Sequence, residues 1–217
     1  MFTQNWEVAI FQEVGSSPAC MESGKAADFH SCLPGNDSEQ ADARRAYIQA
    51  KLKGDEAWVY LPEEAWPDSW YNSDGSKKYT QPVVRLDKAL YGHPDSGTYW
   101  EKHCDTALVK QQFHPIDNWA SCYYHKGLDL FLVVYVDDFK LAGPAKNLAE
   151  GWRLIRIDLK LDDPTKSDLF FGCIHCPFEM NLKDGTKVRG VEYDMESYMS
   201  TIGIAQWPKR LPASQST

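Results

Sequence analysis

Asp137 and Asp138 are adjacent carboxylates at the end of an apolar run, Leu130-Phe131-Leu132-Val133-Val134-Tyr135-Val136. Two acids side by side at such a place raise each other's proton affinity unless a cation offsets the repulsion. A divalent metal is the simplest offset, and Mg²⁺, a hard ion, takes carboxylate oxygen. Asp-Asp also occurs as a plain solvated turn, so a metal site here requires a third carboxylate from elsewhere in the chain. Seven apolar residues in a row, rich in aromatic and β-branched types, have the length of a strand buried on both faces. A second short run, Phe139-Lys140-Leu141-Ala142-Gly143, follows at once, which predicts a tight hairpin with the two acids at its tip.

The elements that must position this hairpin are legible from periodicity and punctuation. Ser17-Pro18 predicts an N-cap and first turn, opening a helix to about residue 32 with Met21, Ala26, Phe29 and Cys32 or Leu33 towards the core. Pro34-Gly35-Asn36-Asp37 ends that helix, and a short strand leads to Asp42. Residues 42–50 could start a helix or a turn. Residues 53–82, rich in Pro, Gly, Trp and Asp, predict a surface excursion holding a strand at 57–61, with another strand at 82–86. A helix over 96–112 carries Trp100, Cys104, Ala107 and Leu108 on one stripe, with Asp95 or Ser96 as its cap. A strand at 121–125 joins the long apolar strand through Lys126-Gly127-Leu128. After Pro144 a helix places Leu148, Trp152, Ile155 and Leu159 at helical spacing, followed by a strand over 169–175. Asp184-Gly185 marks a further hairpin, with Phe178, Met180 and Leu182 alternating before it. A last helix over about 195–204 precedes a polar tail. The order predicts an α+β fold with an antiparallel sheet.

The 217 residues are 43 % apolar and 13 % aromatic, enough for a packed core. No apolar run approaches the length of a membrane span, so no membrane partner is expected. The opening residues lack the basic and apolar regions of a secretory signal, so the expectation is an intracellular chain, cytoplasmic by default, with its six cysteines as free thiols. Against 31 acidic residues stand 23 basic ones, a net charge of −8. A free-standing nucleic-acid binder is usually basic, although a local basic groove can coexist with an acidic remainder. Lys160, Lys166, Lys183, Lys187 and Arg189 could line such a groove or simply face water. Cys173 and Cys176, with His175 between them, have zinc-ligand spacing, but no second pair completes a set, so ordinary thiols are the alternative. The six histidines single out no Cys-His-Asp hydrolase arrangement.

Four blocks in order resemble one family. Asp42-x-x-x-Ala46-Tyr47 resembles the first carboxylate motif of reverse transcriptases. Leu90-Tyr91-Gly92 followed by Trp100 is similar to the second block of copia-type retrotransposon polymerases, and Tyr135-Val136-Asp137-Asp138 to their Tyr-x-Asp-Asp box. Phe171-Gly172-Cys173-Ile174 resembles the Phe-Leu-Gly-Ile strand that follows. The resemblance runs from about residue 8 to about 200 and implies a polymerase palm: an antiparallel sheet backed by helices, with partial fingers on its N-terminal side, the start of a thumb on its C-terminal side, and residues 201–217 as a polar tail. It implies two Mg²⁺ ions held by Asp42, Asp137 and Asp138, with the Ala43 carbonyl as a further oxygen. The partners it implies are an RNA or DNA template with primer, deoxynucleoside triphosphates, and the integrase and ribonuclease H domains of a polyprotein. Tyr47 would crowd a ribose 2′-hydroxyl; the plainer reading is a core aromatic, and for Asp42 a helix N-cap.

The second block departs from the family. Where copia-type sequences carry Lys-Gln, this chain has Pro94-Asp95, so a carboxylate, Asp95, falls where the family's Gln meets the nucleotide. Asp95 as a helix cap is the alternative. About 40 residues precede Asp42, with Lys25 their sole basic residue, where the family has a basic fingers hairpin; the resemblance is therefore to a truncated polymerase. Two other readings stay open: a remnant that folds as a palm without activity, and a non-enzymatic α+β binding module with an acidic turn.

Overall fold

The structure, a computed structural model, describes residues 17–54 and 56–201. The apolar stretch at 8–11, the end of the last helix and the polar tail lie outside the described residues. In chain order the elements are α1 (Met21–Cys32), β1 (Asn36–Asp42), α2 (Ala46–Gln49), β2 (Trp58–Tyr60), β3 (Val83–Arg85), α3 (Ser96–Lys110), β4 (His114–Ile116), β5 (Trp119–His125), β6 (Leu130–Tyr135), β7 (Asp138–Pro144), α4 (Ala145–Ile155), β8 (Thr165–Lys166), β9 (Leu169–Phe170), β10 (Cys173–Asn181), β11 (Lys187–Asp194) and α5 (Glu196–Thr201).

Six antiparallel strands in the order β4-β5-β6-β7-β1-β8 make the central sheet. β6 occupies its middle, which is why that strand is apolar on both faces: Leu130, Leu132 and Val134 enter one core, Phe131 and Val133 the other. The first core is closed by α3 and α4 through Trp100, Cys104, Ala107, Leu108, Leu148, Trp152 and Ile155. Gly151 lets α4 lie tight on the sheet, since a Cβ there would stand 2.4 Å from Leu130 Cδ1. The second core is smaller and is closed by α1 and Phe170. An antiparallel sheet backed by helices, in an α+β chain, is palm-like, as the sequence leads one to expect. The excursion between α2 and α3 carries the two-stranded β2–β3 ribbon on its own. Among the described residues no helix is long and apolar enough to cross a membrane.

Two elements differ from expectation. α1 starts at Met21 rather than at Pro18. Residues 17–19 form no regular element and are tied to the sheet by Ala19 N–H to the Val134 carbonyl (3.3 Å) and by the Ser121 hydroxyl to the Ser17 carbonyl (2.9 Å). The buried face of α1 is also not its apolar one. Ser23, Gly24, Ala27, Asp28 and Ser31 are buried, while Phe29 is 71 % exposed and Met21 39 %. Small residues permit close approach, and a Cβ on Gly24 would stand 2.8 Å from the Phe171 ring. Asp28 is drawn inward by Lys140, a wholly buried lysine on β7 with which it forms an ion pair. His175 Nδ1 lies 2.8 Å from the Lys140 ammonium, and the Tyr193 hydroxyl donates to Asp28 Oδ2 at 2.9 Å. Burial pushes the Asp28 carboxyl up, but the His175 hydrogen bond and the Lys140 charge outweigh it and leave the group below the usual carboxylate range.

The second difference lies at 169–175, where one strand was expected. Phe171 (φ +53°) and Gly172 (φ +72°) both turn left-handed and fold the segment into a hairpin between β9 and β10. Phe178, Met180 and Leu182, alternating as expected, stay exposed.

Candidate active site

The β6–β7 connection is two residues long, Val136 and Asp137, and Tyr135 pairs with Asp138 across it. Val136 sits at φ +55°, where the Cβ of a β-branched residue crowds its own backbone. Two hydrogen bonds hold this strained turn from outside. The buried Trp100 indole N–H donates to the Val136 carbonyl at 2.6 Å, and the Ala43 N–H donates to the Asp137 carbonyl at 2.7 Å.

Antiparallel pairing of β1 with β7 sets Asp42 directly opposite Asp138. Strand alternation points both to the face of the sheet opposite α3 and α4, because their neighbours Ala41 and Phe139 enter the core under those helices. Asp138 is half-buried between its neighbours. Its carboxyl is pushed up to about 6, first by burial, then by the charges of Asp137 and Asp42 and by a hydrogen bond with the Asp42 carboxyl. A proton is one remedy for that repulsion and a divalent cation is another.

The donor set suits a hard cation: carboxylate oxygens only, of like charge, at the lip of a sheet. Among the described residues, however, no three His, Cys, Asp or Glu side chains converge closely enough to hold a metal as they stand. What the fold provides is an opposed pair, Asp42 and Asp138, with Asp137 in the adjoining turn.

Tyr47 lies on the short helix α2, half-buried, packed partly on the α3 core. Its ring meets that of Tyr91 at 4.4 Å between centroids, tilted by 38°. Tyr91 is exposed, and its phenol is raised by partial burial, then by the charges of Asp137 and Tyr47. Asp95 occupies the N-cap position of α3 but makes no capping hydrogen bond with its side chain. Among the described residues, the charges bearing on Asp138 are those of Asp137 and Asp42, not Asp95. The loop before α3 is closed by the Ser96 hydroxyl, which donates to the Leu90 carbonyl at 2.7 Å.

Tyr91 and Trp100, which by sequence are parts of a motif and of a core stripe, are the further residues that the structure brings to the site. The signal was present: both belong to the second block, and a buried indole N–H needs an acceptor. The zinc spacing at 173–176 leads nowhere in the described residues: Cys173 is buried, Cys176 is exposed, and the His175 ring is engaged by Lys140.

A helix-backed antiparallel sheet that brings a strand-end aspartate against a two-aspartate hairpin has the layout of a nucleotide polymerase palm. The model of the family described as reverse transcriptase (RNA-dependent DNA polymerase) matches residues 35–179, and the chain belongs to this family, that of the copia-type polymerases. No curated protein matches the chain.

Proposed function

We propose that the chain is an RNA-directed DNA polymerase domain of a copia-type retrotransposon, with Asp42, Asp137 and Asp138 as its catalytic and metal-holding carboxylates. The observation that carries this reading is the register that sets Asp42 against Asp138, with Asp137 in the turn beside them, inside a family match that spans all three. Two Mg²⁺ ions held there would supply charge neutralisation for a nucleophilic primer 3′-oxygen and a pyrophosphate leaving group. The chain's own part is to hold like charges together in a fixed geometry, so that little reorganises during reaction. Asp138 must be ionised to serve as a ligand; in the metal-free chain its carboxyl is pushed up to about 6, so a cation binding there has to displace that proton at lower pH. Tyr47, whose ring packs against Tyr91, would favour deoxynucleotides by crowding a 2′-hydroxyl. Template with primer and deoxynucleoside triphosphates are the partners; integrase and ribonuclease H domains accompany it in the polyprotein.

Primer extension on an RNA template with Mg²⁺ tests the reading. Extension by the native chain should fall by several orders of magnitude in Asp137→Ala, and Tyr47→Ala should admit ribonucleotides that the native chain rejects. Extension that survives Asp137→Ala removes the carboxylate mechanism. A second reading, a folded remnant without activity, is favoured by one observation: no three acidic side chains converge on a single point among the described residues. A folded native chain that extends no primer at any Mg²⁺ or Mn²⁺ concentration favours it.

A further inference from the structure

We propose that Trp100 is a positioning residue for the acidic turn: its indole N–H clamps the Val136 carbonyl and thereby fixes where Asp137 and Asp138 point. This rests on the polymerase reading for its consequence, but the clamp itself is independent of metal.

The turn cannot be expected to hold its shape alone. A two-residue hairpin loop needs left-handed backbone, which Asn, Asp and Gly adopt with ease; here a valine takes that position at φ +55°. The loop persists because both of its carbonyls are held. The Asp137 carbonyl takes the Ala43 amide at 2.7 Å, a main-chain contact that continues the β1 ladder beyond Asp42. The Val136 carbonyl takes the Trp100 indole at 2.6 Å, a side-chain contact from α3. One anchor therefore comes from the block that carries Asp42, the other from the block that carries Leu90-Tyr91-Gly92. Trp100 can serve because it is itself immobile: 2 % exposed, in the first turns of a 15-residue helix, with its ring edge-on to Phe139 at 6.5 Å. The indole has one donor, and this carbonyl is its acceptor. A small cavity of about 40 Å³ borders Trp100, Val136 and Tyr47, so shortening the side chain would leave the turn unsupported on that side.

Three measurements on the full chain decide the matter. In the native protein, the Trp100 indole proton, assigned by its loss in Trp100→Phe, should exchange with solvent as slowly as core amides. Exchange at the rate of an exposed indole overturns the clamp, whether or not the variant folds. In ¹⁵N–¹H spectra of Trp100→Phe, which keeps an apolar ring but has no donor, the amide shifts should centre on residues 135–139. Shifts confined to α3 overturn it as well. Mn²⁺ titration followed by electron paramagnetic resonance should show affinity weakened about 10-fold or more in Trp100→Phe, the scale on which partners behind metal ligands act. Asp137→Asn serves as the reference and should lose the bound ion. If Asp137→Asn loses Mn²⁺ and Trp100→Phe binds as tightly as the native chain, the positioning role fails while the metal reading stands. If the native chain and Asp137→Asn bind alike, the metal reading fails, and the indole and amide data still judge the clamp.

Discussion

At the scale of single residues, Asp138 is where function and stability oppose each other. Its carboxyl, raised to about 6 against an unfolded value near 4, binds its proton more tightly in the folded chain than in the unfolded one. Folding is therefore unhindered by this group at pH 4, and loses stability as pH rises through about 6, where the folded chain must ionise it beside Asp42 and Asp137. Removing the charge should reverse that loss. In metal-free protein at pH 7.5, Asp138→Asn is expected to raise the melting temperature by on the order of 2–4 °C, the shift that about 1 kcal/mol produces in a chain of this size. The gain should shrink towards zero at pH 4, and saturating Mg²⁺ should narrow it at pH 7.5 by stabilising the native acids alone. Thermal denaturation at the two pH values, with and without the ion, checks each part. A native-like melting temperature for the variant at pH 7.5 would mean that solvent already screens the three acids from one another.

At the scale of elements, the α1–sheet contact shows why part of the chain was not legible. Apolar spacing pointed Phe29 and Met21 inward, yet the helix buries Asp28 and the small residues Gly24 and Ala27 instead. Hydrophobic periodicity registers what a side chain gains from burial and is blind to a partner far away in sequence. Here that partner is Lys140, on a strand whose other face carries Phe139 and Leu141 into the main core. By contrast α3, α4 and the β5–β6–β7 meander were readable, because their apolar stripes face a continuous apolar core and their turns carry local signals. The ion pair makes a sharp prediction. Asp28→Ala leaves a wholly buried ammonium without its counter-charge and should destabilise the fold by about 3–5 kcal/mol. Adding Lys140→Met to that variant removes the stranded charge and should recover most of the loss. Urea unfolding of the single and double variants measures both. A double variant no more stable than Asp28→Ala would place the effect in lost packing rather than in charge.

At the scale of the whole molecule, the α+β sheet could be read from the order of apolar runs and turn signals, and the family from four short blocks, because each block couples a backbone requirement to a chemical one. The turn at Phe171-Gly172 depends on a non-glycine residue taking left-handed backbone, which the blocks do not signal; for Trp100 the core stripe signals a buried indole in need of an acceptor, but not that the acceptor lies 36 residues away. Charge leads to the remaining expectation. Three of the candidate nucleic-acid cations have partners on the chain: Lys166 pairs with Asp37 and Lys187 with Glu179 at 2.6 Å, both lysines exposed, and Arg189 donates to the Ser31 and Asn36 carbonyls at 3.2 and 2.8 Å. Lys160 and Lys183 remain exposed on a chain of net charge −8. Each phosphate neutralised on a duplex adds about −0.9 to the slope of log affinity against log salt. The isolated chain should therefore bind a primer–template duplex weakly, with a slope no steeper than about −3 between 50 and 200 mM salt. Fluorescence anisotropy with a labelled duplex gives the slope directly. A value of about −6 or steeper would reveal a basic track that these ion pairs do not consume. A shallow slope would mean that this chain by itself supplies little of the grip a polymerase needs on its template.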